Sequence, residues 1–465
     1  MKRRLFIMLC CMAAVFGYYS CENKERKIDD GGPHNPEQSI TIESIDPVEG
    51  MRATQLLLRG SNLGNDPASV EVYFGDRKAN IVGCASGRVL LYVPRLEEGE
   101  HVVTVKIGDQ SVEMDQRFTY HITALVSTVV GNPNTGTQEF KAGAFSEAIL
   151  RDPRYLTVDN EGNLFLSHWT QRSMVLIDQQ TQTVTRLLEI TGSSDDPAPT
   201  APTTDASGRI ILAPANGGGA AYREAFYEFD PDAGWAARTR SIFKPAQSSP
   251  DYFTLDAYKH SFAICPLDGK VYYRSNRDGA VIRFDPETRN GERARTLDPD
   301  ETGEHPVLWL VQAQNGDSFC VFDPNNPEML YAALGGGTGN PHGIVFCNIR
   351  TGENGWLTGG TGSEANAWRD GPLATAKFNS PRQMVLDSDG NLVVADRDNH
   401  CIRKIDLHTG LVSTLAGIAG KAGFVDGNPD DALFRQPWGL CIDRRDGAMY
   451  VADTGNRCIR KLTIE

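Results

Sequence analysis

Positive charge is scarce in this chain of 465 residues. Its 46 Lys and Arg face 60 Asp and Glu, which gives a formal net charge of −14, and no basic tract is present. Because binding to nucleic acid requires clustered Lys and Arg that neutralise phosphates, we expect no nucleic-acid partner. Long apolar runs are scarce too. The run from Leu5 to Phe16 is far shorter than the roughly 20 residues that cross a bilayer as a helix.

Cysteine pairs at the close spacing of a zinc site are absent, and so are common catalytic signatures. Three of the ten Cys lie in the first 21 residues, and several of the other seven sit in apolar strand patterns. We therefore interpret most of them as small buried residues. The sequence has no Gly-x-Ser-x-Gly elbow, His-Glu-x-x-His helix or phosphate loop, and no metal or cofactor is predicted. Catalytic residues are unknown at this level.

The N-terminus has the pattern of an export signal. Three basic residues at positions 2–4 precede the apolar run, and the end of the signal, Tyr18-Tyr19-Ser20-Cys21, resembles a bacterial lipobox, with Tyr18 where that pattern prefers Leu. We predict a signal peptide at 1–20 and acylation of Cys21, which would anchor the chain in a membrane. The alternative is an ordinary secretory signal with an incidental Cys21. Residues 21–39 are charged and poor in apolar residues, so they predict a flexible tether.

Residues 40–122 consist of short stretches of alternating polar and apolar residues separated by turn residues. This pattern predicts a compact β-sandwich, and the segment resembles the immunoglobulin-like IPT/TIG domain. The matching elements are Ile45 to Pro47 with Gly50, Leu58 to Gly64, Val72 to Gly75, Val93-Pro94, Gly99, and Phe118 to Tyr120. Such domains bind DNA in some transcription factors, but an acidic, acylated chain makes a spacer role the better interpretation.

The C-terminal part contains a repeat of 56 residues. Phe378, Pro381 and Asp387 each recur 56 positions later as the same residue types. The match continues through two further strands, pairing 392–396 with 449–453 and 399–404 with 456–461. The unit resembles the NHL repeat, a four-stranded blade of a β-propeller. Weaker copies precede it, and residues 124–465 are long enough for six blades.

The last predicted blade has only three strands after its motif proline. Residues 411–417 form the fourth strand of the preceding blade, and their near-copy is Leu125 to Gly131. A ring of sheets must join its last blade to its first or leave an exposed edge. We therefore predict an all-β chain with an N-terminal sandwich and a six-bladed propeller, closed by this N-terminal strand.

A ligand site is expected on the propeller face where the first strands begin and the second strands end, because loops are long there. The candidate ligand-binding residues at these positions are Arg154, His168, Trp169, Ser275, Asn276, Arg382, Arg397 and Trp438. The flat indoles would stack on sugar rings. Packing between blades is the competing interpretation for each Trp. Asp396 and Asp453, with nearby Asn residues, are expected to be structural. Arg403 and Arg460 are expected to be solvated or to bridge blades.

The layout of anchor, tether, spacer and terminal ring resembles the glycan-capture lipoproteins of Bacteroidetes-type bacteria. The resemblance implies an outer-membrane, cell-surface location, a polysaccharide ligand and an association with an outer-membrane transporter complex. Two alternatives stay open. The ring is also the scaffold of propeller hydrolases, lactonases and lyases, for which the five candidate acid–base residues are His168, His260, His305, His342 and His400. Related repeats also serve as protein-interaction scaffolds with a protein ligand.

Overall fold

The computed structural model describes residues 32–51, 54–85, 87–94, 96–122, 124–135, 139–190, 198–215, 225–254, 259–311, 317–335, 342–358 and 367–464. The predicted signal peptide, Cys21 and the first part of the tether lie outside these residues. Within them, no helix has the length and apolarity needed to cross a membrane. The chain divides into two compact units between Ile122 and Thr123.

The first unit is a β-sandwich, as predicted. The strands are β1 Thr41–Asp46, β2 Glu49–Gly50, β3 Gln55–Ser61, β4 Val70–Phe74, β5 Arg77–Lys78, β6 Asn80–Ala85, β7 Arg88–Tyr92, β8 Gly99–His101, β9 Val103–Ile107, β10 Gln110–Glu113 and β11 Phe118–Tyr120. They form sheets with the strand orders β1-β3-β7-β6, β10-β9-β4-β5 and β2-β11-β8. Alternate residues of the strands are buried, as in β4, and Phe74 meets Phe118 edge to face with 5.2 Å between ring centroids.

The second unit is a ring of six antiparallel sheets, which we number as blades 1 to 6. Blade 1 contains β13 Gly143–Ala144, β14 Pro153–Val158, β15 Leu164–His168, β16 Ser173–Asp178 and β17 Thr183–Glu189. Blade 2 contains β19 Thr203–Thr204, β20 Ile210–Leu212, β22 Ala225–Phe229 and β23 Ala237–Ser241, and the short strands β18 Ala198–Pro199 and β21 Pro214–Ala215 pair with each other in a separate two-stranded sheet. Blade 3 contains β24 Ala263–Ile264, β25 Val271–Arg274, β26 Val281–Phe284 and β27 Gly291–Arg293.

The remaining blades have the same meander. Blade 4 contains β28 Asp317–Phe322, β29 Met329–Gly335, β30 Gly343–Asn348 and β31 Asn354–Thr358. Blade 5 contains β32 Gly371–Pro372, β33 Pro381–Leu386, β34 Leu392–Asp396, β35 Cys401–Asp406 and β36 Leu411–Ala416. Blade 6 contains β37 Pro437–Ile442, β38 Met449–Asp453, β39 Cys458–Ile464 and, from the start of the unit, β12 Ala124–Gly131. Short 3-10 turns lie at Pro133–Thr135, Pro231–Ala233, Arg397–Asn399 and Thr454–Asn456.

The ring is closed by β12, as predicted. This strand pairs antiparallel with β39, from Ala124 opposite Ile464 to Gly131 opposite Cys458. The outer strands of blades 5 and 6 each make the same kind of side-chain contact. Asp426 accepts hydrogen bonds from the backbone N–H and hydroxyl of Thr128 in β12, and its counterpart Asp370 accepts the same pair of bonds from a threonine of β36. The N-terminal strand therefore occupies the position of a true fourth strand.

The inner strands of all six blades surround a small axial cavity of about 110 Å³. Gln383 of β33 is one of the residues that line it. Its side-chain oxygen accepts the N–H of Leu156 at 3.0 Å and of Leu440 at 3.3 Å, and its side-chain nitrogen donates to the Leu156 carbonyl at 2.6 Å. A single amide thus connects blades 5, 1 and 6 and satisfies buried backbone groups of two neighbouring blades.

Asp396 and Asp453 are structural residues in buried networks. Asp396 accepts bonds from the backbone of Asn379, from Asn399 and from Arg403, and burial raises its pKa to about 6 against the opposing effect of Arg403. Arg403 and its counterpart Arg460 are not solvated. Both side chains are fully buried and reach the loop that precedes their own blade, because each buried guanidinium must satisfy several N–H donors.

The seven cysteines outside the N-terminal segment form no disulfide among themselves. Six are buried, and Cys84 is half-buried. Burial raises the pKa of the Cys320 thiol to about 11 and that of Cys347 to about 12. These thiols are therefore protonated at neutral pH and behave as small apolar residues.

Closure of the ring predicts a difference between two adjacent residues of β12. Val126 is fully buried in the blade core and Leu125 is half exposed. Val126→Asp should lower the free energy of unfolding of the propeller by about 3 kcal/mol or more, because it buries an unpaired carboxylate. Leu125→Asp, the matched control, should lower it by about 1 kcal/mol or less. Equal thermal transitions for the two variants, measured by circular dichroism, would contradict closure by β12.

Candidate functional site

The start of each inner strand lies beside the end of the second strand of the same blade. Pro153 pairs with His168 in blade 1, Pro381 with Asp396 in blade 5, and Pro437 with Asp453 in blade 6. Residues that follow either member of a pair therefore lie at the same end of the ring. This is the end at which the candidate ligand-binding residues were predicted.

Five of the eight candidates form one group there, which we call the arginine–tryptophan cluster: Arg154, Trp169, Arg382, Arg397 and Trp438. The Trp438 indole is its centre. The guanidinium carbons of Arg154, Arg382 and Arg397 lie 4.3, 4.4 and 4.7 Å from the ring centroid of Trp438. Arg154 also lies 5.0 Å from the Trp169 ring. Since these distances fall in the range of cation–π attraction, the cluster holds together side chains of blades 1, 5 and 6.

A glycine allows blades 1 and 6 to approach each other at this point. Gly439 follows Trp438, and a Cβ at this position would lie only 2.3 Å from the carbonyl oxygen of Arg154. Any other residue would push the two inner strands apart. The missing side chain therefore brings Arg154 onto the face of the indole.

Buried aromatic rings support the cluster from below. Tyr155 lies 6.5 Å from Trp169, 6.2 Å from Trp438 and 5.7 Å from Phe319 between ring centroids. Tyr155 and Phe319 are each only 1% exposed, whereas Trp169 is partly exposed. Edge-to-face packing of this kind fixes ring orientations, so Trp169 is presented from a rigid base.

The cluster consists mainly of hydrogen-bond donors. Arg154 Nε donates to Asp152 at 3.2 Å, Arg397 donates to Asp398 at 2.8 Å, and Arg382 donates to the carbonyl of Gly335 at 3.1 Å. Trp438 is 6% exposed, and its indole N–H has no acceptor among the described residues. Buried indole N–H groups are normally bonded, and this one is shielded from solvent as well as unpaired.

Two histidines flank the cluster and link neighbouring blades. His342 Nδ1 accepts the N–H of Ser380 at 2.7 Å, and His400 Nδ1 accepts that of Gln436 at 3.1 Å. Ser380 and Gln436 both have φ of 53°, so these bonds support two left-handed turns. Burial is the main cause of a lowered pKa in both histidines. They are therefore neutral at neutral pH and contribute no charge.

Three candidates lie outside the cluster. His168 is fully buried beside Phe140, with 5.2 Å between ring centroids, and its Nδ1 lies 3.3 Å from the Ser173 hydroxyl. Ser275 and Asn276 belong to the tight turn that Ser275 closes through bonds with Gly279 and Ala280. In the described part of the chain, no recorded contact joins these three residues to the cluster.

Tyr155, Phe319 and the carboxylates of Asp152 and Asp398 are parts of the site that the sequence reasoning missed. Tyr155 and Asp152 directly flank the motif positions of blade 1, so their neighbourhood was a usable signal. Phe319 lies in a degenerate blade without a motif proline. The described residues contain no group of three or more His, Cys, Asp or Glu placed to hold a metal ion.

Comparison with known families gives a consistent assignment for both units. The IPT/TIG domain model matches residues 41–120, and the NHL repeat model matches residues 378–405 and 434–462. The chain contains an IPT/TIG domain followed by NHL repeats. Blades 5 and 6 include both matched NHL repeats. They carry three of the five cluster residues, Arg382, Arg397 and Trp438, whereas Arg154 and Trp169 come from blade 1.

Similar proteins share these repeats and this fold. NHL repeat-containing protein 2 of Gallus gallus is 32% identical over 343 residues, which cover 72% of this chain and 42% of that protein. The chain spans less than half the length of the curated relatives it matches. A Bacteroides thetaiotaomicron protein of unknown function has a TM-score of 0.72 at 21% identity, covering 93% of this chain and 100% of that chain. An auxiliary nutrient binding protein of the same species has a TM-score of 0.58 at 23% identity, covering 94% and 100%. At these identities the two structures establish a shared fold.

The burial of His168 predicts a dependence of stability on pH. Desolvation lowers its pKa from 6.5 to about 4, so between these values the unfolded chain binds a proton that the native chain does not. The free energy of unfolding should therefore fall as the pH drops from about 6.5 to about 4, by about 3 kcal/mol in total. In His168→Phe, the free energy of unfolding measured with urea should not show this fall between pH 6.5 and pH 4. An identical dependence in both proteins would show that the pKa of His168 is the same in the native and the unfolded chain.

Proposed function

We propose that this chain is a lipid-anchored outer-membrane protein that binds an extracellular polysaccharide at the arginine–tryptophan cluster. The observation that carries the proposal is the exposed edge of the cluster, where Arg154 lies over the partly exposed Trp169 ring. Among the described residues, the two terminal nitrogens of Arg154 have no acceptor, and its side chain is 22% exposed. Ligand oxygens would complete these donors.

The chemistry of the cluster suits a sugar. The partly exposed Trp169 offers a flat apolar surface for the C–H face of a pyranose ring. Arg154 and Arg397 each keep 22% of the side chain exposed, so their N–H groups are within reach of ring oxygens and hydroxyls. A few convergent polar groups beside aromatic surface are typical of small-molecule and saccharide sites.

The fold comparison is compatible with this proposal. The Bacteroides thetaiotaomicron neighbour with a TM-score of 0.58 is described as an auxiliary nutrient binding protein. That description concerns a protein 23% identical to this one, so it supports a binding role only together with the cluster itself.

The domain order gives each segment a part in this function. We propose that residues 1–20 direct export, that acylated Cys21 and the tether at 21–39 attach the chain to the outer membrane, and that the domain at 40–122 is a spacer. The propeller at 124–465 then presents the cluster outside the cell, beside an outer-membrane transporter complex. Ser275, Asn276 and His168 are proposed to shape the surrounding face and to lie outside the direct contact.

Acylation is tested by Cys21→Ala. The wild-type chain, expressed in a bacterial host with lipoprotein processing, should sediment with membranes and release only with detergent. The variant should appear in the soluble exported fraction, because it lacks the acyl chains that would hold it in the membrane. Equal membrane retention of both proteins would contradict the anchor. Proteinase accessibility on whole cells would then distinguish an outward from an inward orientation.

Ligand binding is tested by Trp169→Ala. Affinity electrophoresis against a panel of plant and host polysaccharides should show retardation of the wild-type chain by one class, and loss of about tenfold or more in affinity in the variant because the stacking surface is removed. Trp368→Ala is the matched control. Trp368 is 47% exposed and its indole N–H donates to the Thr414 hydroxyl. The control substitution therefore removes an exposed indole without changing any residue of the cluster.

The same assay separates the alternative functions. Shorter or unsaturated products from a bound polysaccharide, detected by chromatography, would favour a propeller enzyme over a capture protein. Absence of retardation by every polysaccharide, together with co-purification of a membrane protein, would favour an interaction scaffold. Retardation that persists in Trp169→Ala would show that the binding surface lies outside the cluster.

A further inference from the structure

Arg154 lies over the indole rings of Trp169 and Trp438 and keeps its outer edge available. A guanidinium that lies over an aromatic ring uses its flat face, while its N–H groups point outward in the guanidinium plane. Arg154 uses only Nε for a protein contact, to Asp152. Among the described residues, its two terminal nitrogens have no acceptor, and the side chain is 22% exposed. Arg154 therefore offers the paired N–H donors that match two oxygens of one anionic group.

The cluster gathers three guanidinium groups around Trp438 within a protein of formal net charge −14. Asp152 contacts Arg154, and Asp398 contacts Arg397. The flanking His342 and His400 have lowered pKa values, with Arg382 and Arg397 among the positive charges acting on them, and so add no positive charge.

The two carboxylates are already engaged. Asp152 accepts from Arg154 and from the N–H and hydroxyl of Thr170. Asp398 accepts from Arg397 and, at 3.3 Å, from the side chain of Gln436. A neutral sugar presents hydroxyls that both donate and accept, and it is best bound where acceptors are also available. At the exposed edge of the cluster, the groups that remain are the terminal N–H donors of Arg154.

We propose that the ligand of the cluster is an acidic polysaccharide, whose carboxylate or sulfate oxygens accept hydrogen bonds from the two terminal nitrogens of Arg154 while a sugar ring stacks on Trp169. The inference rests on the proposed function and narrows its ligand class. Carboxylate and sulfate share the required chemistry, which is a planar or trigonal set of oxygens with negative charge. Neutral glucans, mannans and galactans lack it.

The experiment compares polymers that differ only in charge. The full chain is titrated calorimetrically with polygalacturonate and its carboxyl-reduced form, and with dextran sulfate and dextran. One charged polymer should bind at least about tenfold more tightly than its neutral counterpart, because hydrogen bonds to charged groups are the stronger kind. Raising NaCl from about 50 mM to about 500 mM should weaken that binding, since salt screens the attraction. The pair that shows the difference identifies carboxylate or sulfate.

Arg154→Gln should lose this preference while Arg289→Gln keeps it. Arg289 is a matched control, since it stacks on Phe243 at 4.4 Å in another part of the ring and its replacement removes the same charge. Unchanged circular dichroism and thermal transition in both variants establish folding. If Arg154→Gln lowers the thermal transition instead, Arg154→Lys, which keeps the charge but loses the paired donors, should still weaken binding about tenfold.

The outcomes separate the two proposals. Equal or tighter binding of a neutral polymer, lost in Trp169→Ala, would overturn the acidic ligand and leave polysaccharide binding in place. Tighter binding of a charged polymer that Arg154→Gln and Arg289→Gln weaken equally would show a general charge effect and also overturn the inference. Absence of binding to all four polymers and to the neutral panel would overturn both proposals.

Discussion

The pairing of β12 with β39 is the interaction on which the propeller depends. It joins Ala124 to Ile464 across nearly the whole unit, and it supplies blade 6 with its outer strand. Loop closure on this scale costs conformational entropy, which is offset by a full ladder of backbone bonds and by the contacts of Asp426 with Thr128 and Arg460. Without it, blades 1 and 6 would not be neighbours.

The arginine–tryptophan cluster depends on the same pairing of β12 with β39. Arg154 comes from blade 1 and Trp438 from blade 6, so their contact at 4.3 Å exists only in the closed ring. Gly439 then sets how closely the two inner strands approach. The cluster is therefore a product of closure together with one missing side chain, and its geometry depends on the stability of the ring.

Sequence reasoning reached the fold because blades 5 and 6 repeat so clearly, with Phe378, Pro381 and Asp387 each returning after 56 residues. It reached much of the cluster for the same reason, since repeat position identifies the end of the ring at which a residue lies. It does not identify the direction of a side chain there. His168 and Trp169 are adjacent, yet one is buried beside Phe140 and the other faces the cluster. Arg403 was equally unpredictable, because its partner Asp370 lies 33 residues earlier in an irregular loop.

The amide of Gln383 has a consequence for the mobility of the inner strands. It bonds to the backbone of Leu156 and of Leu440, so it connects three of the six blades that line the axial cavity. A buried polar group that loses its partner costs free energy. A displacement of β14, β33 or β37 alone would leave such groups unpaired, so these three strands should shift together as one rigid segment.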